Sequence, residues 1–403
     1  MAVPVTLLWL RRDLRLSDHP ALSFAASRGR VVPVYILDDT GDDPWAEGAA
    51  ARWWLHRALS DLSTRLEKFR VPLILRRGDP LAVLETLLEE TQADCVVWSR
   101  RTEPFHRKRD KRIEQALTAR GVEVWSFNAS LLFEPSEIQN KSGKPFKVFT
   151  PFSKACFASP APQEPLPAPR SIKTVNGLAS ACLEDWGLCP TSPNWAEAMG
   201  KLWPTGEIAA HRRLAAFVRE GLKTYHADRD RPDKEGVSRL SPYLQNGQIS
   251  ARQIWYVVQQ AMAVQKGALA GAECFLKELL WREFSAHLLY HQPHLPEKPL
   301  QESFVAMKWR RDKAGVQAWQ QGLTGYPIVD AGMRQLWRTG WMHNRVRMIV
   351  ASFFIKDLLI SWREGEAWFW DTLVDADLAN NAASWQWVAG CGADAAPYFR
   401  VFN

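Results

Sequence analysis

The apolar residues of this 403-residue chain change their spacing once, and the change divides what it can fold into. Over the first 130 residues, short β-rich runs at 6–10, 31–37, 71–75, 95–99 and 122–127 alternate with longer segments, such as 49–69 and 79–90, whose apolar residues fall three and four apart. Strands separated in this way by helices predict a doubly wound parallel sheet, an α/β architecture. From 205 onward the helical period persists through 272–290, 329–338 and 345–362, which predicts an all-α second domain. Five prolines between 160 and 169 bar regular structure, and the stretch to about 193 stays irregular. The expected organisation is therefore an α/β domain over 1–132, a linker over 133–204 and a helical domain over 205–403. Two domains also suit a chain longer than a single hydrophobic core usually supports.

Composition narrows the function classes. The formal charge of +7 suits a polyanion such as nucleic acid without identifying one. Of the 20 tryptophans, 11 follow residue 206, where they can build core, stack on a cofactor or carry electrons. The six cysteines are scattered without a CxxC pair, the pattern of free thiols in a reducing compartment. The apolar run 3–10 stops at Arg11 and Arg12, and no later run could span a bilayer, so a cytoplasmic protein without a membrane partner is expected. Neither GxGxxG nor GxxxxGK[ST] occurs, which argues against a Rossmann enzyme and a P-loop NTPase; Gly143-Lys144, followed by Pro145, reads as a turn. His287, His291 and His294 have ligand-like spacing, but Pro293 breaks the helix that would align them and no carboxylate or cysteine completes a set, so no metal is expected.

Four stretches of the second domain set polar residues among aromatics. In 236–244 (GVSRLSPYL), hydroxyls and Arg239 precede a helix, an arrangement that is either a phosphate cradle or an ordinary N-cap. In 278–284 (ELLWREF), Glu278, Trp281 and Arg282 share a helical face. They can hydrogen-bond and stack a base, or simply form an ion pair between Glu278 and Arg282 beside a core indole. The third stretch is 340–348 (GWMHNRVRM). The fourth runs from Asp375 and Asp377 to Trp385 and Trp387; carboxylates in so apolar a setting need partners, and Arg347 is the obvious one.

Taken in order, GVSRLSPYL, ELLWREF, TGYPIVDAGMRQLWRTGWMHNRVRM and DADLANNAASWQWVAGCGADAAPYFRVFN resemble the FAD domain of the photolyase/cryptochrome family, in particular class I cyclobutane pyrimidine dimer photolyases. The likeness extends to LLWLRRDLRLSDHPAL and KVFTPF and so covers nearly the whole chain. It implies light-dependent repair of cyclobutane dimers by electron transfer from reduced FAD to a flipped-out lesion. By resemblance, Tyr225, Val237, Ser238, Arg239, Leu240, Ser241, Phe275, Arg282, Asn344, Arg347, Asp375, Ala376 and Asp377 line the FAD, and Asn381 faces its N5. Glu278, Asn344 and Asn381 are the implied catalytic residues. Trp281, Met348 and Trp387 would contact the dimer together with Glu278, while Arg229, Arg345 and Arg400 would lie near DNA phosphates. Trp385, Trp362 and Trp309 match the family's electron-relay chain.

Asn381 replaces the aspartate of plant cryptochromes and the cysteine of animal ones, and Met348 stands where (6-4) photolyases carry a second histidine. The first favours repair and the second favours a cyclobutane dimer over a (6-4) lesion. The alternatives are a cryptochrome-type blue-light photoreceptor and a DASH-type enzyme acting on single strands, which dimer repair in duplex DNA would discriminate. Phe105 and His106 replace the Asn-Glu pair of folate-binding relatives in the antenna segment, leaving folate, deazaflavin or flavin as choices for a second chromophore, or an empty site. The basic run from Arg100 to Arg112 there reads equally as a solvated face. Relatives continue through further helices beyond the position of Asn403. The implied partner is ultraviolet-damaged DNA, with no obligate protein partner and a monomeric state.

Overall fold

A computed structural model describes residues 3–41, 43–395 and 397. Five parallel strands, β1 (Val5–Leu10), β2 (Arg30–Leu37), β3 (Ile74–Arg77), β4 (Cys95–Ser99) and β5 (Glu123–Phe127), form one sheet in the order β3-β2-β1-β4-β5. β1 takes the centre because all six of its residues are buried, as a strand covered on both faces requires. The crossovers carry α1 (Pro20–Arg28), α2 (Ala49–Glu67), α3 (Pro80–Thr91) and α4 (Pro104–Ala119). Proline opens α1, α3 and α4, and the Asp79 carboxylate caps α3 by accepting from the Ala82 N–H at 2.9 Å.

β3 lies later than the 71–75 run suggested. The Val71 N–H closes the end of α2 on the Leu66 carbonyl through Arg70 at φ 59°, and Pro72 has no N–H to offer a ladder. Pairing with β2 therefore starts at Ile74, opposite Val34. The segment after α5 (Phe149–Ala158) is irregular from 160 to 183 apart from one bridge, yet it is tied down. Leu166 and Asp18 exchange two hydrogen bonds, Lys173 pairs with the start of β2, and Ser180 and Ala181 bond to Leu75 of β3. This stretch thereby occupies the sheet edge that β3 would leave open.

The rest is helical: α6 (Glu197–Leu202), α7 (Glu207–Glu220), α8 (Tyr225–Asp228), α9 (Ser241–Gln245), α10 (Ala251–Val264), α11 (Leu269–His291), α12 (Lys313–Gln321), α13 (Pro327–Thr339), α14 (Asn344–Ser352), α15 (Trp362–Thr372) and α16 (Leu378–Ala389). The 23-residue α11 runs through the middle and packs against α5, α8, α10 and α16. The apolar period across 345–362 suggested one helix, and the structure corrects that reading. After α14 the chain widens into a π turn over Phe353–Asp357, and Leu359 adopts φ 56° before α15 begins. The buried side chains of Phe353, Phe354 and Ile355 preserve apolar spacing through a backbone that is no longer α.

Buried polar contacts join the α/β and helical parts. Arg15 donates to the Gly247 carbonyl, Arg252 pairs with Asp18, and the Trp54 indole donates to the Gln248 side chain at 2.9 Å. Glu207 accepts from the Leu16 N–H at 2.7 Å and pairs with Arg65. Gly247 sits at this seam with φ 65°, where a Cβ would come within 2.1 Å of the Arg12 carbonyl oxygen. Glu283 of α11 accepts the Leu132 N–H at 2.9 Å and the Phe133 N–H at 3.3 Å.

Candidate functional site

A cavity of about 640 Å³ opens among α8, α9, α11, α14 and α16, within the roughly 300–1,000 Å³ range of small-molecule sites. The loop 237–240 forms one wall. Arg213 of α7 braces it from behind, donating Nε to the Ser238 carbonyl at 2.7 Å and Nη2 to that of Val237 at 3.0 Å. Arg239 takes φ 51° and lays its guanidinium 5.0 Å from the centre of the Trp341 ring. Leu240 is buried, and Ser241 opens α9. The Ser241 hydroxyl donates to the Asp375 carboxylate at 2.6 Å, so it serves the wall of the cavity before it serves any phosphate.

On the opposite side, α11 presents Phe275, Glu278, Trp281 and Arg282. Phe275 meets Tyr225 edge-on at 5.3 Å. Trp281 lies parallel to Phe149 of α5 with centroids 3.6 Å apart, which fixes the indole plane. The intrahelical Glu278–Arg282 pair that spacing allowed does not form. Arg282 turns to the Ser130 carbonyl at 2.9 Å and to Glu283, whereas Glu278 pairs with Arg229 at the end of α8. Burial pushes the Glu278 carboxyl above its ordinary value, and Arg229 pulls it part of the way back.

The segment entering α14 supplies the floor. His343 caps α14, accepting the Arg345 N–H at Nδ1, and burial holds its imidazole below the ordinary value, in the neutral form such a cap needs. Asn344, Arg345, Arg347 and Met348 all line the cavity. Arg345 reaches Asp230 at 2.6 Å and leans on the Met348 sulfur at 3.6 Å. Arg347 holds both oxygens of Asp375, at 3.1 and 2.8 Å, and donates Nε to the Met342 carbonyl. The partner expected for the buried carboxylates is thus confirmed for Asp375 alone. Asp377 instead caps α16, accepting the Asn380 N–H at 2.8 Å, and Ala376 receives the Gln245 amide on its carbonyl.

Asn381 lines the cavity from α16 and donates Nδ2 to the backbone carbonyl of Glu366 at 3.0 Å. The Glu366 carboxyl is fully buried, and neither oxygen has a partner among the described residues. Burial raises it well above the ordinary value, which favours the neutral acid. Its spacing from Trp362 and Phe369, four residues and three, placed it on the buried stripe of α15. That signal could have flagged it from sequence. Arg213 and Asp230, also unforeseen, carried no comparable signal.

Trp385 and Trp387 line the cavity; Trp362 and Trp309 do not. Trp385 and Trp362 are 2% and 3% exposed, Trp309 is half-buried, and all three belong to one apolar cluster. Arg400 lies outside the described residues. A second cleft of about 880 Å³ adjoins the first through Gln245, Arg282 and Asp377 and carries Arg100, Arg101, Arg107 and Lys108 of the antenna segment. Much of that basic run is paired: Arg101 with Glu103, Arg109 with Asp38, and Arg107 stacked 3.7 Å from the Tyr290 ring. A third, surface groove of about 970 Å³ is lined by Trp337 and Trp368, parallel with centroids 6.2 Å apart. His287 and His291 both bond the Pro135 carbonyl, and no metal-ligating cluster occurs among the described residues.

Residues 6–170 match the family described as DNA photolyase, and residues 275–403 match the FAD binding domain of DNA photolyase. The chain is 48% identical over 399 residues to a deoxyribodipyrimidine photo-lyase of Agrobacterium fabrum, covering 98% of this chain and 82% of that protein. It is similar to the crystal structure of a bacterial class III photolyase from Agrobacterium tumefaciens, with TM-score 0.96 and 48% identity over 100% of this chain and 83% of that one. It is also similar to an archaeal photolyase from Sulfolobus tokodaii with two FAD molecules, with TM-score 0.82 and 31% identity over 99% and 85% of the two chains.

Proposed function

The chain belongs to the DNA photolyase family, and we infer how it works from the convergence of four separate sequence segments on one cavity. It is an FAD-dependent photolyase that repairs DNA. That convergence is the observation that carries the finer reading. Five arginines line the cavity, and although each is paired with a carboxylate, Arg239 with Glu235 and Arg345 with Asp230 among them, together they offer guanidinium donors suited to a pyrophosphate. Arg239 Nε, on the cavity wall, is buried without a partner among the described residues, leaving a donor for a ligand. These residues fit FAD. Loop 237–241, Tyr225, Phe275, Arg282, Asn344 and the Arg347–Asp375 pair would hold it, with Ala376, Asp377 and Asn381 along the α16 side.

When bound, reduced FAD would supply the light-driven electron transfer that splits a cyclobutane dimer. The protein provides the rest. Asn381, its amide oriented by the Glu366 carbonyl, would steady the reduced ring. Glu278 would hydrogen-bond the flipped dimer and stabilise its negative charge, Trp281 and Trp387 would pack on it, and Met348 would touch it. Arg229, Arg345 and Arg400 would meet backbone phosphates. Trp385 on the cavity wall, the buried Trp362 and the half-buried Trp309, all belonging to one apolar cluster, would bring electrons to resting flavin. The 48% identity to a class III photolyase over the whole chain favours that class over class I. A second chromophore has room in either the basic cleft or the Trp337–Trp368 groove. No described helix is long and apolar enough to cross a membrane, and the free cysteines fit an enzyme of the cytoplasm; a monomeric state is part of the same proposal.

The test is repair of a thymine dimer in duplex DNA by the chemically reduced protein, in blue light and in darkness. Repair in light alone is expected. Bound flavin without repair would overturn the reading in favour of a photoreceptor.

A further inference from the structure

Arg229 is assigned above to a DNA phosphate, yet its guanidinium already has two carboxylate neighbours. Nη1 donates to Glu278 and Nε lies 3.5 Å from Asp230, which in turn holds Arg345 at 2.6 Å. The Arg229 and Glu278 side chains are each about three-quarters buried, at 24% and 25% exposure, so their attraction is weakly screened. A phosphate drawing Arg229 away would leave Glu278 unpaired in a half-dry cavity, or oblige it to take up a proton, and either is unfavourable. A base edge that donates to Glu278 removes that penalty.

We propose that Glu278 is a discriminator as well as a substrate ligand: by holding Arg229 it withholds that guanidinium from the DNA backbone until a lesion in the cavity takes over its carboxylate. Phosphate capture and lesion capture are thereby coupled through one ion pair. Undamaged duplex, which places nothing against Glu278, meets a cation already engaged. This rests on the repair function proposed above and adds to it a reason for damage specificity.

The experiment is equilibrium binding of the FAD-loaded protein in darkness to undamaged duplex and to the same duplex with one thymine dimer. The variants are Glu278→Gln, Asp233→Asn, Arg229→Gln and the Glu278→Gln/Arg229→Gln double. Asp233 pairs with Arg231 on the surface, so its substitution removes one negative charge nearby without touching Arg229. Flavin absorbance reports that each variant remains folded and loaded. Glu278→Gln should bind undamaged duplex about fivefold more tightly than Asp233→Asn does, with a steeper salt dependence by about one phosphate contact, and bind the dimer more weakly. The gain on undamaged duplex should vanish once Arg229 is also Gln. Equal behaviour of Glu278→Gln and Asp233→Asn, or a gain that persists without Arg229, would overturn the discriminator role while leaving repair intact. A wild-type protein that does not distinguish the two duplexes would overturn both.

Discussion

At the scale of single residues, several polar side chains of the site are held by partners from other parts of the chain. Asn381 donates to the Glu366 carbonyl, Asp375 accepts from Ser241 and Arg347, and Glu278 lines the cavity paired with Arg229. Glu278→Ala should therefore retain FAD while lowering the quantum yield of repair, because the carboxylate belongs to the substrate side of the cavity. Unchanged yield in single-turnover photolysis would remove its substrate role. Trp385→Phe keeps the packing against Phe369, 5.1 Å away, but removes the indole that can be oxidised. Photoreduction of oxidised flavin should fall to a small fraction of wild type, followed by absorbance under blue light, while chemically reduced enzyme still repairs. These readings needed different amounts of information. The pairing of Asp375 with Arg347 was legible from sequence because a carboxylate in an aromatic setting demands a cation and one stood in the adjoining motif. The pairing of Glu278 with Arg229 was not, because an i,i+4 arginine lay on the same helix and only the tertiary position of Ser130 draws Arg282 away.

At the scale of elements, α15 and α16 pack tightly enough that Gly365 leaves no room for a side chain. A Cβ there would stand 2.1 Å from Cη2 of Trp385. Gly365→Ala should destabilise the protein by about 1–3 kcal/mol through overpacking, measured by urea denaturation, and should slow flavin photoreduction because the displaced group is the cavity tryptophan. A stability within 0.5 kcal/mol of wild type would show that α15 can shift freely, on the scale expected of a neutral surface change. The break between α14 and α15 has a related meaning. A straight helix over 345–362 would carry Trp362 along the axis of α14, whereas the π turn and the left-handed Leu359 redirect the chain so that α15 can lie against α16.

At the scale of the whole molecule, the α/β part and the helical part are locked by buried polar contacts, and one of them titrates near neutrality. Glu283 joins α11 to the Leu132 and Phe133 amides, and burial raises its carboxyl from 4.5 to about 7, with Arg282 and the two amides opposing the rise. Below pH 4.5 folded and unfolded chains both hold this proton; between 4.5 and about 7 the unfolded chain releases it first. The contribution of Glu283 to stability therefore declines as pH rises through that window and levels off above it. Glu283→Gln keeps one acceptor oxygen and cannot ionise. Relative to wild type, its melting temperature should gain between pH 5 and pH 8, and a constant difference across that range would exclude the titration.

By itself the sequence determined which elements form and what family chemistry they serve. Hydrophobic period is local, so alternating strands and helices were readable up to residue 130 and helices after 205, and long ordered motifs identified the residues of the cavity before any fold was known. Where the period stayed the same but the backbone did not, as across Phe353–Asp357, the reading failed, because burial pattern constrains side chains and not hydrogen-bond register. Tertiary structure alone decided the partners: Arg213 behind the loop of Arg239, Arg229 on Glu278, Glu366 buried behind Asn381. Each joins residues 15 to 49 positions apart. Such contacts form only when helices pack, and the low dielectric created by that packing gives them their strength.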